Sequence, residues 1–415
     1  MSKKSRISTD SYKGVRDFFP ADQAFLNYLT STMRRVVERF GYVEYGASIL
    51  EPAELYKAKG AENEELASEQ TYTFVDRGGR EVTLRPEMTP TVARMVAAKW
   101  RELGFPLRWY SIPNLFRYER TQRGRLREHW QLNVDLFGSN SRAADAEIIL
   151  VAYELLKAFG AQESDFVIKL GSRAFLDSVV MKLGLTEEQA KQLRSAIDRR
   201  GKVAEEQFTK DLAELGVAME VLSPDNPPED VKEVLAILKE WGVGNAVFDP
   251  SIVRGFDYYT GVVFEVFDTH PDNNRALLGG GRYDNLLELF DENPVPGVGF
   301  GMGDVTVRDF LEVRHLLPEY MPPTKVYVAV ASPSLVNEAG KLAKELRTQG
   351  ISVATDFGEK KLSKQIEAAS KHNIPYLVVV GEDEVTSGNF KVKDLATGEE
   401  KKLTRPELAH FFLNL

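Results

Sequence analysis

Five arginines fall within the eleven residues Arg117-Tyr-Glu-Arg120-Thr-Gln-Arg123-Gly-Arg125-Leu-Arg127, in a 415-residue chain whose net charge is −9. The planar guanidinium presents a fork of donors that matches phosphate oxygens and carboxylates. Gly124 marks a turn between two apolar stretches, which places the arginines on a hairpin. Crowded there, they repel one another unless an anion lies between them. That favours an anionic ligand over a solvated charged loop. A second constellation is Val253-Arg254-Gly-Phe-Asp-Tyr258-Tyr259-Thr-Gly261, where a guanidinium and two phenols can orient a small polar ligand. A third joins Gly279-Gly-Gly-Arg282-Tyr283-Asp284 to Gly297-Val-Gly299-Phe-Gly301-Met-Gly303. Glycine at every second position strips one face of a strand of side chains, so that a flat ligand can lie on bare backbone. Tight strand packing is the plainer use of such a pattern. In a fourth, Arg85-Pro-Glu87-Met-Thr89-Pro90, the carboxylate and hydroxyl can grip an ammonium group, or Thr89 can cap the helix that follows.

Composition removes other chemistries. There is no cysteine, which excludes disulfides, thiolate metal sites and cysteine nucleophiles. The five histidines, at 129, 270, 315, 372 and 410, include no close pair, so no metal centre is expected. Neither a G-x-x-x-x-G-K-[ST] phosphate loop nor a G-x-G-x-x-G fingerprint is present. A bound nucleotide would therefore depend on arginines. No apolar run approaches a membrane span, and Met1–Tyr12 lacks the apolar core of a secretory signal. A cytoplasmic protein with no membrane partner is expected. The charge deficit lies before residue 324 and the remainder is nearly neutral, so nucleic acid would be met by local basic patches.

Several elements must position these residues. Apolar positions at Phe25, Leu29, Met33, Val36, Val37 and Phe40 predict an amphipathic helix over about 22–40, with Gly41 as its stop. Its apolar face belongs in a core or in a subunit contact. Residues 70–138 read as strands and turns around one helix from Thr89 to about Glu102. A helix follows over 145–159. Charged helices over 172–183, 186–199 and 228–241 form a helical insertion at about 171–245. Sheet-like sequence resumes at Ala246. Prolines 318, 322 and 323 mark a linker, and beyond it strand and helix alternate from Val326 to Val380, the pattern of an α/β domain. Two domains are expected, 1–322 with the insertion and 325–415.

Taken together, the segments resemble the histidyl-tRNA synthetases of the class II aminoacyl-tRNA synthetase type. The resemblance runs in order over nearly the whole chain: Gly14-Val-Arg-Asp-Phe-Phe-Pro20, Arg85-Pro-Glu-x-Thr89, the Phe116-Arg-Tyr-Glu-Arg120 hairpin as motif 2, Val253-Arg-Gly-Phe-Asp-Tyr-Tyr259 and Gly280-Gly-Arg-Tyr-Asp284 as histidine signatures, and a tail from 325 similar to the anticodon-binding domain. It implies an α+β catalytic domain with a six- or seven-stranded antiparallel sheet flanked by helices, a helical insertion and a C-terminal α/β domain. It implies a histidine–tRNA ligase that activates histidine with ATP and passes it to tRNA(His), acting as a homodimer. Arg117 and Arg254 would be catalytic. Glu87, Thr89, Gln131, Asp135, Tyr258, Tyr259 and Tyr283 would hold histidine. Arg117, Glu119, Arg125, His129, Gly301, Gly303 and Thr306 would meet ATP, with Mg2+ on its phosphates and no metal ligand set in the protein itself.

The chain departs from the family pattern in three places. Gly46-Ala47-Ser48 stands where motif 1 carries its proline. His129 takes the place of the aromatic that stacks on adenine. Asp304-Val305-Thr306 follows the last glycine of motif 3, so Thr306 replaces an arginine on the adenine side, and Arg308 from the next turn is the candidate substitute. Two other readings share this fold: a histidine-binding regulatory subunit of ATP phosphoribosyltransferase, which usually lacks the tail, and an RNA-binding sensor with an inactive catalytic domain.

Overall fold

The computed structural model describes residues 7–57, 70–122, 124–198, 204–222, 227–253, 258–273 and 275–415. The chain divides into two compact units, Met1–Leu317 and Pro318–Leu415.

The first unit opens with helix α1 (Pro20–Arg39). It starts two residues earlier than the apolar stripe predicts, because Pro20 occupies the first helical position, where a missing N–H costs nothing. Leu29, Met33, Val36 and Val37 pack into the main core, so its apolar face is a core face. Strand β1 (Val43–Glu44) follows, then β2 (Leu50–Pro52), β3 (Tyr72–Val75) and β4 (Glu81–Leu84), the last three forming a small separate sheet. Helix α2 (Thr89–Lys99) leads to β5 (Leu107–Ser111), β6 (Asn114–Phe116) and the long β7 (Glu128–Phe137). After α3 (Arg142–Ala158) and β8 (Phe166–Ser172) come α4 (Arg173–Leu183), α5 (Glu187–Asp198), α6 (Glu205–Glu214) and α7 (Glu229–Glu240). The unit closes with β9 (Ala246–Phe248), β10 (Val262–Asp268), β11 (Ala276–Arg282), β12 (Gly297–Gly303) and α8 (Asp304–Val313).

The large sheet has nine strands in the order β1-β5-β7-β12-β11-β10-β8-β9, with β6 also on β7. It exceeds the expected six or seven, and it is antiparallel except at its two edges, where β1 runs parallel to β5 and β9 parallel to β8. These edge strands have two and three residues, too few to show a period in sequence. One face of β7 and β12 carries Leu132, Val134, Leu136, Val298, Phe300 and Met302 into the main core with α1 and α3. Burying side chains of this size contributes roughly 1.5–3 kcal/mol each. The opposite face carries the site.

Helices α4, α5 and α6 share a small core of their own built on Leu176, Leu193, Phe208 and Leu212. Helix α7 does not join it: Val231, Val234 and Leu238 pack in the main core.

The second unit holds β13 (Val326–Val330), α9 (Val336–Thr348), β14 (Val353–Thr355), α10 (Leu362–Lys371) and β15 (Tyr376–Val380), followed by β16 (Asn389–Asp394), β17 (Glu400–Thr404) and α11 (Arg405–Leu413). The three strands β13, β14 and β15 are parallel as expected, and the β16–β17 hairpin adds two antiparallel strands.

Candidate active site

The site is built on the glycine-rich strand. Gly299, Gly301 and Gly303 lie directly opposite Asp135, Asn133 and Gln131 of β7, and Gly299 and Gly301 face Gly281 and Gly279 of β11 on the other side. The period of two therefore makes a bare floor with a row of polar side chains along one edge. The floor has no room for more. A Cβ on Gly299 would lie 2.6 Å from the Tyr283 hydroxyl and 2.7 Å from Asp135 Oδ1, and one on Gly301 would lie 2.9 Å from the Gln131 amide carbon.

At one end of the floor, Asp135 is buried and accepts a short hydrogen bond from the Tyr283 hydroxyl. Its other oxygen, Oδ2, is buried without a hydrogen-bond partner among the described residues. Burial raises the Asp135 carboxyl to about 7, against the opposing pull of the Tyr283 bond. Burial first, and the Asp135 charge second, lift the Tyr283 phenol well above its ordinary value. An orphaned acceptor beside a phenol, at a depth where water is scarce, fits a ligand N–H such as an imidazole. Tyr283 is aimed by its neighbour: buried Arg282 pairs with Asp145 at 2.8 Å and Asp284 at 3.1 Å. Tyr258 and Tyr259 pack against Tyr283, with ring centroids 6.0 and 6.5 Å away. The Tyr258 hydroxyl donates to Glu87 at 3.4 Å. Glu87 is buried just ahead of α2, and Thr89 is the first residue of that helix. The cap position belongs to Met88, so the Thr89 hydroxyl is not the helix cap.

The other end opens into a cleft of about 280 Å3 lined by Arg117, Glu119, Arg125, His129, Gln131, Gly301, Gly303 and Thr306, among others. It thus gathers every residue the sequence assigned to ATP. Arg117 Nε donates to the Pro86 carbonyl at 2.9 Å, which fixes the fork against the segment that carries Glu87. Glu119 sits between Arg117 and Arg125 at 3.9 and 3.4 Å. The mutual repulsion expected of the arginine hairpin is therefore eased partly by its own glutamate. Gly124 turns the hairpin with a φ of +74°. Arg127 points elsewhere: it stacks on Tyr118 at 4.0 Å and donates to the Tyr12 hydroxyl at 3.2 Å. His129 is held neutral, at about 3, by burial first and then by the charges of Arg117 and Arg16. A neutral, flat ring is suited to stacking on a base.

Two expected residues lie outside the described set, Arg123 and Arg254. One expectation is corrected. Arg308 does not reach the cleft, because it pairs with Asp22 at 3.3 Å and stacks on Phe25 at 5.2 Å, and α8 aims it at α1 instead. The sequence reading also missed three participants. Tyr45 lies buried near Asp135, and nothing in its local sequence sets it apart. Asp304 and Arg16 meet across the whole length of the first unit, and no local pattern links them.

The bare floor, the arginine hairpin and the attached α/β unit are those of an aminoacyl-tRNA ligase. The histidyl-tRNA synthetase family model matches residues 14–304, and an anticodon binding domain model matches 325–415. The histidine–tRNA ligase of Leptospira biflexa is 42% identical over 95% of both chains. That of Thermoplasma volcanium is 36% identical over 98% of both. The crystal structure of histidyl-tRNA synthetase from Nostoc superposes with a TM-score of 0.81 at 25% identity, covering 99% of this chain and 100% of the other. The chain belongs to the histidyl-tRNA synthetase family.

Proposed function

We propose that this site makes histidyl-adenylate from histidine and ATP and then charges tRNA(His). The observation that carries the reading is the single floor that joins an orphaned carboxylate at one end to an arginine cleft at the other. Histidine lies on the glycines. Its imidazole meets Asp135, Tyr259 and Tyr283, and its ammonium group meets Glu87, Thr89 and Gln131, with Tyr258 bracing Glu87. ATP occupies the cleft. Its base rests on His129 beside Gly301, Gly303 and Thr306, and its α-phosphate meets Arg117, with Arg125 on the phosphates nearby. The histidine carboxylate attacks the α-phosphorus, an O–P bond forms, and the bond to the β-phosphate oxygen breaks to release pyrophosphate. The 3′-terminal hydroxyl of tRNA then takes the aminoacyl group and AMP leaves. Neither step needs a covalent nucleophile from the protein. Positioning and charge neutralisation carry the rate. Arg254 is assigned to the carboxylate and α-phosphate on resemblance alone.

Among the described residues no cluster of three or more acidic or histidine side chains offers a metal site. Glu119 is the carboxylate among the cleft residues. Its oxygens would hold, together with the ATP phosphates, a Mg2+ that arrives with the nucleotide and would supply charge neutralisation on the departing pyrophosphate. No helix of the described residues is long and apolar enough to cross a membrane. A chain without cysteine, belonging to a family of translation enzymes, supports a cytoplasmic location. Exposed Leu50 and Phe74, which share one face of the small sheet, support a homodimer that covers them. The alternative of a non-catalytic paralogue is disfavoured by the match of the tail to an anticodon-binding domain.

ATP–pyrophosphate exchange, run with each of the twenty amino acids in turn, tests the reading. Exchange with histidine alone is expected. Folded protein that binds histidine but is silent with all twenty would assign it to the regulatory or sensor class.

A further inference from the structure

The cations lining the cleft among the described residues, Arg117 and Arg125, both stand on the hairpin. The facing wall, at the start of α8, has Val305 and Thr306. The Thr306 hydroxyl is already committed to the carbonyls of Leu277 at 2.9 Å and Gly303 at 3.1 Å. The residue that reaches this wall with a charge comes from the far end of the sequence. Arg16, in the segment that precedes α1, forms an ion pair with Asp304 at 2.7 Å, and the side chains are 23% and 5% exposed. Asp304 uses both oxygens: Oδ2 accepts from Arg16, and Oδ1 accepts the backbone N–H of Trp130 at 2.9 Å. One buried carboxylate thus ties three pieces together: the N-terminal segment, the His129–Trp130 step of β7, and the first turn of α8.

The N-terminal segment is itself held in register. Arg127 N–H donates to the Gly14 carbonyl at 2.8 Å, the Phe18 and Trp130 rings meet edge-on at 5.0 Å, and the Arg16 guanidinium lies over the Phe18 ring at 5.0 Å. Arg16 Nε is buried with no hydrogen-bond partner among the described residues, so the guanidinium is confined by packing. Its charge is also felt at His129.

We propose that Arg16 and Asp304 act as a positioning pair for ATP, fixing His129 and the Val305–Thr306 turn at the separation that a nucleotide base requires. The proposal rests on the reading of this cleft as the ATP site. Its physical basis is the cost of separating a buried pair. Without Arg16, Asp304 becomes an uncompensated buried charge that must protonate or turn away; protonation weakens its bond to the Trp130 amide, and turning away releases that amide and the wall. Arg16 is a positioning residue, because it does not line the cleft. Its loss should therefore weaken ATP and spare histidine, whose contacts lie at the other end of the floor.

The test measures KM for ATP and for histidine separately in the exchange reaction, for wild type, R16M, R16K and the double variant R16M/D304N. R16M is expected to raise KM for ATP about tenfold or more and leave KM for histidine within about twofold, the signature of lost ground-state binding at one substrate. R16K keeps the charge and should recover most of the loss. The double variant removes both charges, while the new side-chain amide oxygen at position 304 can still accept from the Trp130 N–H. It should therefore fold, keep the wall tied to Trp130 and recover at least part of the ATP affinity that R16M loses. An unchanged KM for ATP, equal rises in both constants, or R16K no better than R16M would overturn the proposal. Calorimetric titration with ATP alone separates this proposal from the larger reading. If wild type and R16M bind ATP equally, the pair has no such role, whatever the exchange assay reports. If wild type fails to exchange yet binds ATP more tightly than R16M, the pair stands and the assigned reaction falls.

Discussion

Asp135 stands among hydrophobic neighbours with one oxygen engaged by Tyr283 and the other without a partner among the described residues. Its carboxyl titrates near 7 in the folded chain, against an ordinary value of 3.8. Between those values the folded protein keeps a proton that the unfolded chain releases. Stability therefore falls as pH rises from about 4 to 7, by on the order of 4 kcal/mol, and levels off above. His129 works in the opposite sense. Held near 3, it stays neutral where the unfolded chain takes up a proton below its ordinary 6.5, so its stabilisation fades as the solution is acidified. Melting temperatures of the ligand-free protein at pH 5, 6, 7 and 8 should therefore differ in slope between wild type and Asp135→Asn, with the variant losing less stability toward pH 8. Parallel slopes would show that the carboxyl is ionised throughout. The candidate residues themselves were legible one by one, since type and local spacing suffice for Arg117, Glu87 and the glycines. Their partners were not. Tyr283 meets Asp135 across 148 residues and Arg16 meets Asp304 across 288, and no local period encodes either meeting.

Among the elements, the arginine hairpin and the segment behind it behave as one unit. Gly14 has a φ of +88°, and a Cβ there would meet the Arg127 side chain at 2.7 Å and Thr121 at 2.8 Å. Replacing it with alanine demands a strained backbone and pushes the N-terminal segment off β7. Gly14→Ala should cost about 1–3 kcal/mol of stability and should release residues 7–19 to early proteolysis. Limited trypsin digestion followed by mass spectrometry reads that release, and a cleavage pattern identical to wild type would contradict it. The glycine strand, the hairpin turn at Gly124 and α1 could be expected from sequence because each has a period or a turn residue of its own. Strands β1 and β9 are too short to carry a period. Helix α7 looks like its neighbours in composition but packs with the main core, a choice made by Val231, Val234 and Leu238 meeting residues distant in sequence.

For the molecule as a whole, composition and the proline cluster near 318–323 indicated a boundary, and the contacts divide the chain at Leu317–Pro318. Assembly is less visible. Strand β3 shows Phe74 47% and Val75 67% exposed, and β2 adds Leu50 at 45%. Val75 faces the opposite side of the sheet, but Leu50 and Phe74 share one face and form an apolar patch that water covers poorly. A double substitution of Leu50 and Phe74 by glutamate should convert a dimer to monomer in sedimentation velocity and lower the exchange rate at least about tenfold, because buried like charges across a symmetric contact repel twice over. Monomeric wild-type protein with full activity would remove the dimer from the account.

On the proposed placement of histidine, the bare floor also sets which way its pocket can be redesigned. Gly299 and Gly301 already have the smallest side chain available, so the pocket cannot be deepened for a bulkier analogue of histidine. Extra room has to come from the rim, by trimming Tyr258, Tyr259 or Tyr283, which surrenders contacts to the ring being selected. Directed evolution toward larger substrates therefore starts from a loss of discrimination, whereas smaller substrates can be sought by building inward from the tyrosines with the floor left untouched.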